Sequence, residues 1–214
     1  MTIRFENIIP KPLEGVLSPQ TEIWRKDISF QPHQHFQVYS PSGKGKSSFL
    51  HIIYGLRNDF SGNLWLDGQN TRHFQADDWA KLRQDTFSIV FQDLRLFLHL
   101  TAWENLLVKA ALYPQNKEKE LQEQAEFLGI SHVLHKPVST LSYGERQRVA
   151  IIRALIQPFH WLLLDEPFSH LDEENIAKAS KLISQKVEEN KAAILMTSLG
   201  YEYELKFQQK KCLG

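Results

Sequence analysis

Cysteine, net charge and long apolar runs are what this 214-residue sequence has least of. Its one cysteine, Cys212, cannot close an intramolecular disulfide, so a reducing compartment is the simpler expectation. Lys and Arg total 25 against 25 Asp and Glu, and the formal charge is zero. Binding driven by a nucleic-acid backbone needs a basic surplus, so no nucleic-acid partner is expected. No run approaches the ~18 apolar residues of a membrane helix. The most apolar stretches, Trp161–Leu164 and Ala192–Met196, have the length of strands. Met1–Pro10 holds no apolar segment of the kind a secretory signal carries, and none is expected. Internal repeats, heptads and low-complexity linkers are also missing. What remains is ordinary globular composition, 42% hydrophobic and 23% charged, long enough for one large domain or two small ones.

The sequence alternates strand-like and helix-like segments. Phe36–Tyr39, Asn63–Leu66, Phe87–Phe91, Trp161–Leu164 and Ala193–Thr197 read as strands. Ser47–Leu56, a stretch capped by Asp77 or Asp78 and running through Leu82, Leu106–Leu112, Lys117–Leu128 and about 144–156 read as helices, with Pro114 as a break. Asp172 caps a further helix, in which Ile176, Ala179, Ile183 and Val187 recur at helical spacing. Such alternation points to an α/β core with a parallel sheet. The stretch from about Gln92 to Val138 lacks strand patterns and reads as a helical insertion.

After the strand Phe36–Tyr39 comes Ser40-Pro41-Ser42-Gly43-Lys44-Gly45-Lys46-Ser47-Ser48, then a helix. The phosphate-loop pattern G-x-x-x-x-G-K-[ST] sits in that context, and Gly45-Lys46-Ser47 match its end. Backbone N–H groups of such a loop face phosphate oxygens, and the helix N-terminus adds positive potential. Lys46 then reaches the β- and γ-phosphates, and the Ser47 hydroxyl ligates Mg²⁺. Ser40 stands where the pattern has its first glycine, which implies a modest backbone cost or an altered loop entry. Downstream, the apolar run Trp161–Leu164 ends in Asp165-Glu166-Pro167. An Asp at that place holds Mg²⁺, and the adjacent Glu166 is the candidate general base or water-positioner.

Between these two sites lies Leu141-Ser142-Tyr143-Gly144-Glu145, followed by Arg146-Gln147-Arg148-Val149-Ala150. It resembles LSGGQ, the signature motif of ATP-binding-cassette (ABC) ATPases, in the form LSYGE. The resemblance covers nearly the whole chain in order, with a Q-loop at Phe91-Gln92-Asp93 and a D-loop at Ser169-His170-Leu171-Asp172. It implies an α/β fold: a P-loop NTPase core with a mixed, mostly parallel sheet and an N-terminal antiparallel β subdomain, formed by residues 1–91 and 139–214. A helical subdomain, 92–138, is inserted. ATP and Mg²⁺ are the implied cofactors. Two cassettes, identical or different, are implied to pair head to tail. Each ATP is then shared between one phosphate loop, Ser40–Ser48, and the partner's Ser142, Gly144 and Glu145. Gln92 senses the γ-phosphate and touches Mg²⁺, and Asp172 bridges the dimer. The run Phe91–Asn105 is similar to ATPases of lipoprotein release, cell-division membrane complexes and macrolide-type efflux. The implied partner is an integral-membrane permease, with this chain peripheral on the cytoplasmic face of the cell membrane.

Several positions depart from that pattern. Ser198 stands at the switch histidine, and Leu13 at the aromatic that stacks on adenine, with Trp24 as an alternative that is expected to pack in the N-terminal sheet. Tyr143 replaces a glycine and Glu145 a glutamine. The turn Gln31–His35 reads as a solvated hairpin turn rather than a metal site, because zinc wants three or four ligands. Lys206, Lys210 and Lys211 read as a solvated strand edge, and no regulatory extension is expected from the short Tyr201–Gly214 tail. Two functions follow: an ATP-hydrolysing transport subunit, slowed by Ser198, or an ATP-sensing module with little turnover.

Overall fold

The computed structural model describes residues 1–113 and 117–214, and the helix break at Pro114 falls outside them. The elements in order are β1 (Ile3–Pro10), β2 (Asp27–Phe30), β3 (Phe36–Tyr39), α1 (Lys46–Ile53), β4 (Phe60–Leu66), β5 (Gln69–Asn70), α2 (Ala76–Asp85), β6 (Phe87–Val90), α3 (Ala102–Ala110), α4 (Glu118–Phe127), α5 (Tyr143–Leu155), β7 (Trp161–Asp165), α6 (Glu173–Glu189), β8 (Ala193–Ser198) and β9 (Gln209–Cys212). Short 3₁₀ turns fill several connections.

Two sheets result. A four-stranded antiparallel sheet has the order β2-β1-β4-β5, and a five-stranded sheet, all of it parallel, has the order β6-β7-β8-β3-β9. In the parallel sheet the side chains alternate between two cores. Trp161, Leu163, Ala193 and Leu195 face an aromatic-rich layer under the antiparallel sheet, built on Phe5, Trp24, Phe30, Phe36 and Phe49. Leu162, Leu164, Ile194 and Met196 face a helical layer with Leu121, Ala125, Val149, Ile151 and Ile183. Burial on both faces is why these strands read as continuous apolar runs. Only helical elements lie between β6 and β7 among the described residues, and their core is continuous with the one beneath α5 and α6.

Several local expectations shift. The strands β1 and β2 carry little sequence signal. In β1 the alternation ends at an irregularity between Glu6 and Ile9, where Asn7 takes a φ of 56°. The turn Gln31–His35 joins no hairpin, because β2 belongs to one sheet and β3 to the other. His35 Nδ1 accepts from the Ile194 N–H, so this turn anchors to β8. Helix α2 begins at Ala76, with Asp78 accepting from the Gln75 N–H. Helix α3 begins at Ala102, capped by Thr101 and Glu104, four residues before Leu106. Lys210 and Lys211 lie on the edge strand β9.

Candidate functional site

The parallel register aligns the C-terminal ends of three strands. Tyr39 pairs with Ser198, and Asp165 pairs with Thr197. Loops leaving one end of a parallel sheet build the site in this class of fold. The loop from Ser40 runs into α1, whose N-cap is Gly45 at φ 90°. A Cβ on Gly45 would lie 2.6 Å from Leu13 Cδ1, which would have to turn aside, and the left-handed φ already favours glycine there. Trp24 is fully buried and its Nε1–H donates to the Lys44 carbonyl. It therefore props the loop from inside the core and is not free to stack on a base. Leu13 lies on a short turn against the same glycine. Ser40 is not in the left-handed region, so its Cβ carries no backbone penalty. Its N–H donates to the Ser198 carbonyl and its hydroxyl to the Pro41 carbonyl. Ser42 is exposed, Gly43 takes a φ of 80°, and Ser48 points away to accept from Arg57.

Lys46 is buried and folds back over the loop. Its Nζ donates to Ser40 O at 2.8 Å and Pro41 O at 3.0 Å, and pairs with Glu166 Oε1 at 3.2 Å. Glu166 has a φ of 46°, a left-handed conformation that costs a non-glycine residue roughly 1 kcal/mol or more. Its N–H donates to Thr197 O, and Gln147 Nε2 donates to its carbonyl. Ser47 Oγ donates to Gln92 Oε1 at 3.2 Å. Asp165 Oδ1 accepts from Thr197 Oγ1 at 2.7 Å, whereas its Oδ2 is buried with no partner among the described residues. Burial pushes the Asp165 carboxyl up, against the opposing pull of Thr197, Ser47 and His51. The orphaned Oδ2, the Ser47 hydroxyl and the Gln92 amide oxygen are hard donors of the kind a small divalent cation takes.

The Ser198 hydroxyl is turned elsewhere. It is 1% exposed and accepts from Gln37 Nε2 at 3.0 Å and from the Gly200 N–H at 3.1 Å. Gln37 also donates to Tyr201 O at 2.8 Å. Gln37 was marked in the sequence only by being polar inside the apolar strand β3. Thr197 was marked even less. A cleft of about 750 Å³ opens beside Glu166, Ser198, Leu171 and Tyr203.

The second constellation forms at the start of α5. Ser142 is its N-cap and accepts from the Glu145 N–H. Glu145 Oε2 in turn accepts from Ser142 N at 2.8 Å and from Ser142 Oγ at 2.7 Å, completing a capping box. The Ser142 hydroxyl is the main reason the Glu145 carboxyl sits below its ordinary range. Gly144 packs against the Ser169–Asp172 turn, where a Cβ would stand 3.1 Å from the His170 carbonyl. Asp172 caps α6 by accepting from the Asn175 N–H. None of the hydrogen bonds of Ser142, Gly144 or Glu145 among the described residues reaches the phosphate loop of the same chain.

Comparison with known proteins fits this arrangement. Residues 25–169 match the profile of the ABC transporter family. The molybdate/tungstate import ATP-binding protein WtpC of Pyrococcus abyssi is 36% identical over 75% of this chain and 46% of its own length. The lipoprotein-releasing system ATP-binding protein LolD of Psychrobacter arcticus is 32% identical over 86% of this chain and 83% of its own. The chain thus spans about half the length of the molybdate/tungstate import relatives it matches. Among solved structures, the dimeric ABC transporter cassette MJ0796 aligns with a TM-score of 0.77 at 26% identity, covering 92% of this chain and 88% of that one. Its post-hydrolysis state, bound to ADP and Pi, aligns at 0.72 with 26% identity, covering 91% and 87%. Profile, relatives and neighbouring folds converge, and the chain belongs to the ABC transporter family.

Proposed function

We propose that this protein is the ATP-binding and ATP-hydrolysing subunit of a membrane transporter, working as a pair of cassettes. The observation that carries this reading is convergence: Lys46, Ser47, Gln92, Asp165 and Glu166, from distant parts of the sequence, meet at one sheet end. The N–H groups of the Ser40–Ser48 loop and Lys46 receive the β- and γ-phosphates of ATP. Ser47, Gln92 and Asp165 would hold Mg²⁺, which when bound neutralises charge on the transferred phosphoryl group. Glu166 orients a water and takes its proton as the water oxygen bonds to the γ-phosphorus. The β–γ bridging bond breaks, and ADP and phosphate leave. Ser142 and Gly144, exposed or half-exposed at the start of α5, are free to face a second cassette.

The partner proposed to cross the membrane is a permease; no helix among the described residues is long and apolar enough to cross a bilayer. Phe97 and Leu98 are exposed just past Gln92, tied to α3 through Asn105, and Val108 is exposed on the same helix. This apolar patch supports docking of a permease, at the cytoplasmic face of the membrane. The relatives include both importers and a lipoprotein-release ATPase.

A second reading, an ATP sensor with little turnover, is favoured by one observation. The Ser198 hydroxyl is committed to Gln37 and Gly200. Steady-state phosphate release by the purified protein, with Glu166→Gln as control, separates the two. Turnover abolished by that substitution supports the hydrolase. Nucleotide binding without measurable turnover in the parent supports the sensor.

A further inference from the structure

Tyr143 stands where the signature motif has glycine, and its side chain does more than fill space. Its hydroxyl donates to the Gln92 carbonyl at 2.8 Å. Its ring lies 4.0 Å from the His170 ring, centroid to centroid, and the Arg146 guanidinium stands 5.8 Å from its face. Gln92 meanwhile holds Ser47 through its side chain. Gln147, one helical turn along α5, accepts from the His170 N–H and donates to the Glu166 carbonyl. One phenol therefore ties the start of α5 to the backbone of the very residue whose side chain touches the phosphate loop.

We propose that Tyr143 is a positioning residue that couples two nucleotide sites. This rests on the paired-cassette reading above. When nucleotide and its cation fill the phosphate loop, the Ser47 hydroxyl and the Gln92 amide oxygen exchange their mutual hydrogen bond for the ion they would share, so Gln92 is re-placed. Any shift of Gln92 is then passed through the Tyr143 hydroxyl to the start of α5. That end presents Ser142 and Gly144 to the nucleotide held by the other cassette. A glycine at this position has no side chain with which to make the link. The tie also runs backwards, as linkage requires: contact at Ser142 from the second cassette favours one placement of Gln92 in the first.

A tyrosine that only packs would behave differently from one that couples, and Tyr143→Phe separates them, because it removes the O–H and keeps the ring against His170. Three measurements on the purified full chain decide: ADP affinity, the shape of the ATP dependence of turnover, and ATP-driven dimerisation in a Glu166→Gln background, read by light scattering. The parent is expected to show a sigmoidal ATP dependence, and Tyr143→Phe to flatten it towards a hyperbola. The ATP needed for half-dimerisation rises about 2- to 10-fold, the span of one neutral hydrogen bond, while ADP affinity stays within about 2-fold. Tyr143→Gly is expected to match Tyr143→Phe in all three. The proposal is overturned by a hyperbolic parent, by Tyr143→Phe keeping the parental curve and dimerisation midpoint, or by ADP affinity falling as far as dimerisation. A parent that binds no ATP at all would instead sink the functional reading on which the proposal stands.

Discussion

Glu166→Gln should tighten the binding of ADP. Without nucleotide, the Lys46 ammonium has three acceptors, and one is the Glu166 carboxylate at 3.2 Å, with the two side chains 5% and 12% exposed. A β-phosphate must draw Lys46 out of that arrangement. At an effective dielectric of about 20, two unit charges this close attract by about 5 kcal/mol gross. Net values for hydrogen bonds to charged groups are about 1.5–3 kcal/mol, and a glutamine oxygen retains part of that. The remaining difference is about 1–2 kcal/mol, so ADP affinity should rise roughly 5- to 30-fold. ADP suits the assay because there is no γ-phosphate to hydrolyse or to share with a second cassette. Titration calorimetry with and without Lys46→Met completes a double-mutant cycle. If the gain survives in full in the Lys46→Met background, simple repulsion between Glu166 and phosphate is responsible and the ion-pair argument is wrong. No gain at all would refute it as well.

Three more outcomes follow from the geometry. Burial raises the Asp165 carboxyl, so between the unfolded value near 3.9 and the raised folded one the native state holds the extra proton, and stability falls as pH climbs through that window. Asp165→Asn should then raise the melting temperature at pH 7 by about 2–4 °C and lose that advantage in acid, whereas a lower melting temperature at pH 7 would contradict the assignment. Ser198→His alone loses the hydroxyl that accepts from Gln37 and Gly200 and crowds the buried Gln37 side chain, so it should cost about 1–3 kcal/mol in urea unfolding, with Gln37→Ala restoring stability and only the double variant gaining turnover. A single variant as stable as its parent would show that the imidazole turns into the cleft beside Glu166 instead. Glu145→Gln removes the carboxylate that competes for the Ser142 hydroxyl, so in a Glu166→Gln background dimerisation should need about 3-fold less ATP, and an unchanged midpoint would show that the capping box does not compete.

The parts legible in the sequence were those with a one-dimensional signature. β7 and β8 read as apolar runs because both faces are covered, and Gly45-Lys46-Ser47 lies between strand and helix where the loop pattern wants it. The start of α3 was equally available, since Thr101-Ala102-Trp103-Glu104 spells a capping box, yet the apolar spacing from Leu106 drew the boundary inward. β1 and β2 stayed hidden for a physical reason: one is interrupted near Asn7, and the other is four residues long with a single buried side chain. At the site, residue types were visible but their partners were not. Nothing local says that the Ser198 hydroxyl meets Gln37, or that Tyr143 reaches Gln92, because these pairs are far apart in sequence and meet only through the sheet order and the α5 packing.

That sheet order has a consequence for how the protein is made. β3 feeds the phosphate loop, yet both its neighbours are late strands: Phe36 pairs with Leu195 on one side and with Gln209 on the other. As the chain leaves the ribosome, the loop motif emerges on a strand whose two sides wait for segments more than 150 residues further on. Pairings this distant in sequence are slow to close and leave edges exposed while they wait. The antiparallel sheet, by contrast, can assemble from the first 70 residues. A competent phosphate loop is therefore a late product of synthesis, held on both sides only after Gln209–Cys212 has been made.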